Sequence, residues 1–158
     1  MFVNFSKAFD TINTDYLIYL LIRSGMHGKM LMLIREIYSN VKATVKTDKG
    51  LYKFFDCKIG LRQGCLLSPE LFIIFINELE LMLKKSKYRG IYMGEAVEIL
   101  LLMYADDIVL VADTPLELKR KIQILEQFSE KWGMKVNMTK TNSISKRGCY
   151  FKEGIFLL

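Results

Sequence analysis

Apolar residues in the first third of the chain alternate or recur in ways that predict both strands and helices. Residues 2–6 alternate as a half-buried strand does. Apolar residues at helical spacing then predict one helix that starts near Thr14 and ends at Gly25, and a second over residues 29–39. Two β-prone runs, 41–46 and 52–59, flank a short polar turn that contains glycine, which indicates a hairpin.

The central third carries the better marked elements. Ser68 and Pro69 are suited to open a helix whose broad apolar face covers residues 71–83. The runs 97–103 and 108–112 are apolar and separated only by Tyr104-Ala105-Asp106-Asp107. This pattern predicts a second hairpin with both carboxylates at its turn.

The last third begins with a capping box, Thr114-Pro115-Leu116-Glu117, which opens a helix that ends at Gly133. Short strands are expected around Val136, Ser143 and Phe151. A chain with this order of elements favours an α+β fold, in which helices pack on one face of an antiparallel sheet. With 158 residues, 51% of them hydrophobic, the chain is expected to form a single domain, residues 1–158.

The net charge of +6 suits a polyanionic partner, but it also fits many ordinary domains and does not identify a nucleic-acid-binding protein. The basic residues are dispersed, and each small cluster is also consistent with a solvated helix face or loop. These clusters are Lys84, Lys85 and Lys87; Lys119 to Lys121; and Lys146 with Arg147.

The three cysteines, Cys57, Cys65 and Cys149, are far apart and lack CxxC spacing. They are therefore expected to be reduced thiols in an intracellular protein. No apolar run reaches the roughly 18 residues that cross a bilayer, so no membrane association is expected. Met1 leads straight into the first strand without a signal peptide, which indicates that the chain derives from a longer protein.

Two segments carry candidate chemistry. Asp106 and Asp107 lie between apolar strands, where a divalent cation or solvent must compensate their charge, and an exposed Asp-Asp turn explains them equally well. The loop at residues 60–72 sets Arg62 and Gln63 between two glycines ahead of the capped helix. Glycines allow a ligand to approach the backbone, and a helix N-terminus beside an arginine favours a phosphate.

Four segments together resemble motifs A to D of the reverse transcriptases of non-LTR (LINE-like) retrotransposons, in that family's chain order. They are Phe2-Val3-Asn4-Phe5-Ser6-Lys7-Ala8-Phe9-Asp10, residues 60–72, Tyr104-Ala105-Asp106-Asp107, and residues 132–141. The resemblance implies a polymerase palm with a ferredoxin-like βαββαβ core. It also implies two Mg²⁺ ions, or Mn²⁺, a deoxynucleotide substrate, an RNA template and a DNA primer.

The resemblance also implies a role for each matching residue. Asp106 and Asp107 would bind metal, Asp107 being the less essential, and Lys140 would protonate pyrophosphate. Substrate contacts would come from Arg62, from Gln63 at the incoming nucleotide, from Gly64 beside it, and from Tyr104 at the primer end. Phe9 would exclude a 2′-hydroxyl, which disfavours an RNA-synthesising polymerase. Without the resemblance, Phe9 is interpreted as a core aromatic and Lys140 as a solvated charge.

One position departs from the family. Asn4 stands where the family has its other metal-binding aspartate, and an amide offers magnesium only one neutral oxygen. Asp10, six residues on, is interpreted as a helix-start or loop residue rather than a replacement. Segments for fingers and thumb are also missing. The sequence therefore predicts a palm fragment that is inactive alone, and a non-catalytic nucleic-acid-binding or structural remnant is the alternative.

Overall fold

The computed structural model describes residues 1–94, 97–144 and 150–151. Its contacts divide the chain into two compact units, one formed by Met1–Ala8 with Ile76–Leu158 and the other by Phe9–Phe75. Lys146, Arg147 and Cys149 lie outside the described residues, whereas Cys57 and Cys65 are free thiols.

The helices are α1 (Thr14–Arg23), α2 (Gly28–Ser39), α3 (Ser68–Lys85) and α4 (Pro115–Trp132), with a 3₁₀ turn at Ala8–Thr11. The strands are β1 (Phe2–Ser6), β2 (Lys42–Ala43), β3 (Lys46–Thr47), β4 (Gly50–Leu51), β5 (Phe55–Asp56), β6 (Ile91–Met93), β7 (Val97–Ile99), β8 (Leu101–Tyr104), β9 (Asp107–Leu110), β10 (Lys135–Val136), β11 (Ser143–Ile144) and β12 (Tyr150–Phe151). The strands expected around Val136, Ser143 and Phe151 are thus confirmed, and β11 pairs with β12.

The first unit is built on a four-stranded sheet in the order β10-β1-β9-β8, and every neighbouring pair is antiparallel. In the chain, α3 lies between β1 and β8, and α4 lies between β9 and β10. This is the strand order of a ferredoxin-like βαββαβ core, so the predicted α+β class is confirmed. Helix α4 contacts the sheet through the rings of Phe5 and Phe128, whose centroids are 6.4 Å apart.

Helix α4 begins and ends as its sequence predicts. Thr114 accepts a hydrogen bond from the backbone N–H of Glu117, and Gly133 ends the helix in the left-handed conformation. One expectation on this helix is wrong, because Lys121 is fully buried rather than part of a solvated face. Its ammonium group donates to the carbonyl of Val111 at 2.7 Å.

The run 97–103 does not form one strand, and its two halves pair with different partners. Strand β7 pairs with β6 and strand β8 with β9, so the chain changes direction at the buried Leu100. The carbonyl of Ile99 approaches Gly90 so closely that a Cβ at that glycine would lie 2.3 Å from the oxygen. This contact explains the glycine on the β6 side of the hairpin.

The second unit contains α1, α2, the N-terminal part of α3 and the hairpin of β2 to β5. Helix α1 starts at Thr14, as predicted, and the side chain of its N-cap residue Asn13 accepts from the backbone N–H of Tyr16. The hairpin expected around Asp48-Lys49-Gly50 is present as two short ladders, β2 with β5 and β3 with β4. The hydroxyl of Ser68, expected to cap α3, donates to the carbonyl of Arg62 at 2.6 Å and so closes the preceding loop.

Candidate functional site

The Asp106–Asp107 pair is split between a turn and a strand. Tyr104 pairs with Asp107 across β8 and β9, so the hairpin turn contains only Ala105 and Asp106. The expectation that both carboxylates lie at the turn is therefore wrong, because Asp107 is the first residue of β9. Asp106 is half-buried, whereas Asp107 and Tyr104 are exposed.

Strand β1 places Asn4 directly opposite Asp107, in register across the sheet. The side-chain nitrogen of Asn4 donates to Oδ1 of Asp107 at 3.1 Å. In this register Asp107, rather than Asp106, lies opposite position 4. An aspartate at position 4 would therefore bring two like charges together, whereas the amide makes a hydrogen bond with its neighbour.

These donors do not fit the pair of Mg²⁺ ions that the resemblance implies. Asp106 and Asp107 supply two carboxylates, while Asn4 supplies one neutral oxygen and directs its N–H₂ at a carboxylate. Within the part of the chain that the structure describes, no group of three or more His, Cys, Asp or Glu could hold a metal ion.

The loop that carries Lys140 is fixed beside Asn4. The backbone N–H of Asn137 donates to the carbonyl of Asn4 at 2.7 Å, and Thr141 Oγ1 accepts from the backbone N–H of Asn4 at 3.4 Å. Asn137 Oδ1 also accepts from the backbone N–H of Lys140, at 3.3 Å. Lys140 itself is exposed. The structure thus brings Asn4, Asp107 and the Lys140 loop together in one unit.

The second group of predicted residues lies in the other unit, where the loop after Lys58 crosses the 3₁₀ turn. The N–H of Gly60 donates to the carbonyl of Ile12 and that of Leu61 to the carbonyl of Phe9, both at 2.8 Å. A Cβ at Gly60 would lie 2.9 Å from the carbonyl oxygen of Asp10. Gly60 is therefore required by the close approach of two backbone segments.

Gln63 and Arg62 have partners within this unit. The side-chain nitrogen of Gln63 donates to Oδ1 of Asp10 at 2.9 Å, and the Arg62 guanidinium donates to the carbonyl of Ile37 at 2.9 Å. The sequence alone did not predict that Asp10 accepts a hydrogen bond from Gln63. No spacing rule could have found a hydrogen bond between residues 53 positions apart, although a carboxylate next to Phe9 was a polar signal.

The remaining residues of this group have simple local environments. Gly64 has a left-handed backbone with φ 77°, and a Cβ there would meet nothing within 4 Å, so conformation rather than crowding favours glycine. Hydrogen bonding to the backbone of Leu67 lowers the pKa of the Cys65 thiol. Phe9 is half-buried and its ring stacks on Phe72, with centroids 4.6 Å apart. This packing agrees with the interpretation of Phe9 as a core aromatic.

No helix among the described residues is both long and apolar enough to span a membrane.

Comparisons with known proteins agree with the resemblance. The family described as reverse transcriptase (RNA-dependent DNA polymerase) matches residues 1–151. The chain is 29% identical over 143 residues to a Pol polyprotein from the type-1 retrotransposable element R2 of Popillia japonica, covering 88% of this chain and 23% of that protein. It is 27% identical over 139 residues to the transposon TX1 149 kDa protein of Xenopus laevis, covering 87% of this chain and 11% of that protein.

A solved structure shares the fold. Apo telomerase from Candida tropicalis matches with a TM-score of 0.65 and 22% identity, over 88% of this chain and 29% of that one. The chain thus spans less than a quarter of the two curated relatives. The match over nearly its whole length shows that the chain belongs to the reverse transcriptase (RNA-dependent DNA polymerase) family.

Proposed function

We propose that this chain is the palm region of an RNA-directed DNA polymerase of a non-LTR retrotransposon, and that Asn4 makes it inactive in nucleotide addition. The parent activity would join a deoxynucleotide to a primer 3′-hydroxyl on an RNA template. The residues proposed to bind substrate are Phe9, Arg62, Gln63, Gly64 and Tyr104, with Asp106, Asp107 and Lys140 at the reacting phosphates.

The observation that carries the proposal is the pairing of Asn4 with Asp107. A carboxylate at position 4 would repel Asp107 unless cations lay between them. An aspartate at this position, as in the family, is therefore favourable only when metal is bound. With asparagine, the side chains satisfy each other through a hydrogen bond and the charge that would attract a second cation is absent. The same pairing favours the second candidate, a non-catalytic remnant that retains the fold and binds nucleic acid.

Primer extension by a chimera separates the two candidates. This palm, placed between the fingers and thumb of an active relative, is expected to be nearly inert, and its Asn4→Asp version is expected to recover activity. A loss of about 3 to 6 kcal/mol of transition-state stabilisation corresponds to at least about a hundredfold in rate. Asn4→Asp combined with Asp106→Ala should be inactive again, because both carboxylates are needed.

Comparable extension rates with and without Asn4→Asp, at saturating and at limiting magnesium, would show that position 4 is not part of a metal site. If the Asn4→Asp chimera stayed inert although it folded and bound primer-template, the remnant hypothesis would be favoured.

A further inference from the structure

The hairpin at residues 41–59 differs from the rest of the chain in its charge. It contains five lysines, Lys42, Lys46, Lys49, Lys53 and Lys58, against two aspartates, which gives it a net charge of +3. The whole chain carries +6, so these 19 residues account for half of the net charge. All five lysines are exposed. The hairpin is therefore the place where the described structure concentrates positive charge.

Aromatic rings are exposed on the same hairpin. Tyr52 is 70% exposed, Phe54 59% and Phe55 50%, and Lys53 lies between the first two in sequence. Rings of this size are normally covered, and several exposed together mark an interaction surface. We name Tyr52, Phe54, Phe55 and the five lysines the hairpin surface.

The backbone of the segment that carries the rings is irregular but hydrogen-bonded. Ala43 pairs with Phe55 and Lys46 with Leu51, so two residues on one strand face three on the other, which is a β-bulge. The bulge is held by Thr44, whose hydroxyl donates to the carbonyl of Tyr52 at 2.6 Å, and by the N–H of Tyr52, which donates to the carbonyl of Val45 at 2.9 Å. These bonds fix the backbone of the segment that presents the rings.

We propose that the hairpin surface binds single-stranded nucleic acid, with unpaired bases stacked on Tyr52, Phe54 or Phe55 and phosphates next to the lysines. Exposed aromatics interleaved with cations are the combination that binds single strands without reading sequence. A protein partner fits less well, because lysine is depleted from the buried centres of protein interfaces. A duplex fits less well because its bases are already stacked.

This inference rests on the proposed function for the class of partner, and it specifies which surface holds the unpaired strand. It does not depend on Asn4, on metal or on catalysis. The chain can therefore be tested as it stands, by the binding of a fluorescent twelve-nucleotide oligouridine at several salt concentrations. Oligouridine is chosen because it has little structure of its own.

Two kinds of variant separate stacking from charge. Tyr52→Ala and Phe54→Ala should each weaken binding by about fivefold or more, with an unchanged salt dependence. Lys46→Gln with Lys53→Gln should weaken binding and also reduce the slope of log K against log salt by about 1.4, since each single-strand phosphate contact contributes about 0.7. The matched control is Lys85→Gln with Lys119→Gln, two exposed lysines outside the hairpin, which should change affinity less than twofold.

Tyr52→Trp keeps the proposal testable if an alanine variant unfolds. A tryptophan at position 52 should retain affinity, and its fluorescence should be quenched when oligouridine binds. Three results would each overturn the proposal. The alanine variants could bind as tightly as the unmodified chain, or the Lys85/Lys119 control could lose as much affinity as the hairpin lysine variant. A DNA duplex could also compete as well as single-stranded oligouridine. A lack of oligouridine binding by the unmodified chain would also overturn it. Such a result would not contradict the proposed function, which is tested separately by primer extension with the Asn4→Asp chimera.

Discussion

The side-chain nitrogen of Gln63 donates a hydrogen bond to the carboxylate of Asp10, with 2.9 Å between Nε2 and Oδ1. An ionised carboxylate can only accept hydrogen bonds, so Asp10 determines which end of the Gln63 amide faces it. We therefore expect Asp10 to act as a positioning residue that orients the Gln63 amide.

Removing Asp10 is expected to impair nucleotide binding through Gln63. In the active Asn4→Asp chimera, Asp10→Ala should raise the KM for deoxynucleotide about fivefold, the effect of losing about 1 kcal/mol from one hydrogen bond, with a smaller change in kcat. Asp10→Asn should restore part of the affinity, since its amide oxygen can still accept. Steady-state kinetics of single variants and of Asp10→Ala with Gln63→Ala form a double-mutant cycle, and strictly additive effects would contradict the coupling.

Phe9 is expected to control the choice of sugar. In the same chimera, Phe9→Val should raise ribonucleotide incorporation relative to deoxynucleotide by about tenfold or more, because a smaller side chain leaves space for a 2′-hydroxyl. Phe9→Tyr keeps a ring that can stack on Phe72 and is the control for packing. Competitive incorporation assays give the ratio directly. An unchanged ratio in Phe9→Val would mean that the match to motif A is misplaced.

Alanine substitutions at Gly60 and Gly25 separate two costs to stability, that of a left-handed backbone and that of steric crowding by a Cβ. Both have a left-handed backbone, with φ of 93° and 89°, yet a Cβ would meet the carbonyl oxygen of Asp10 only at Gly60. We expect Gly25→Ala to cost about 1 kcal/mol in unfolding free energy and Gly60→Ala about 1 to 3 kcal/mol more. Urea denaturation measures both, and equal losses would show that the two backbone segments separate without cost.

Lys121 is expected to make stability depend on pH. Burial lowers the pKa of its ammonium group, and Glu117, Glu98 and Asp113 oppose that shift only in part. Between the lowered pKa and 10.5, the unfolded chain holds more protons than the folded one, so the free energy of unfolding should rise with pH through that window. Lys121→Met keeps the length of the side chain without the charge. The difference between the two proteins in urea denaturation should change across this window, and a constant difference would refute the expectation.

Local sequence signals predicted the elements well where capping and periodicity agree. The ends of α4 were predicted from Thr114, Pro115 and Gly133. The hydrogen bonds that cap both ends of this helix join residues only three or four positions apart. The same holds for the alternation of β1. The strand order β10-β1-β9-β8 followed only from the resemblance, since no local pattern specifies which strands become neighbours.

Contacts between distant residues account for what sequence reasoning missed. Asp107 faces Asn4 because of the register between β1 and β9, and a shift by one residue would have placed a different residue there. Lys121 appears as one more charge on an exposed face until the position of the Val111 carbonyl is known. The bond between Asp10 and Gln63 likewise depends on where two loops cross.

The turn between Tyr104 and Asp107 has a consequence for how copies of this sequence can diverge. Ala105 has φ 53°, which is unfavourable for a residue with a Cβ, so exchange for glycine or asparagine costs little or relieves strain. A change in the length of the turn would have a larger effect than a change of side chain. The two turn residues determine which residues of β8 and β9 pair with each other. One inserted codon in β9 would rotate the residues beyond it to the opposite face and send Ile108 towards water. Divergent copies should therefore vary in the side chain at position 105 while the number of residues between the two strands stays constant.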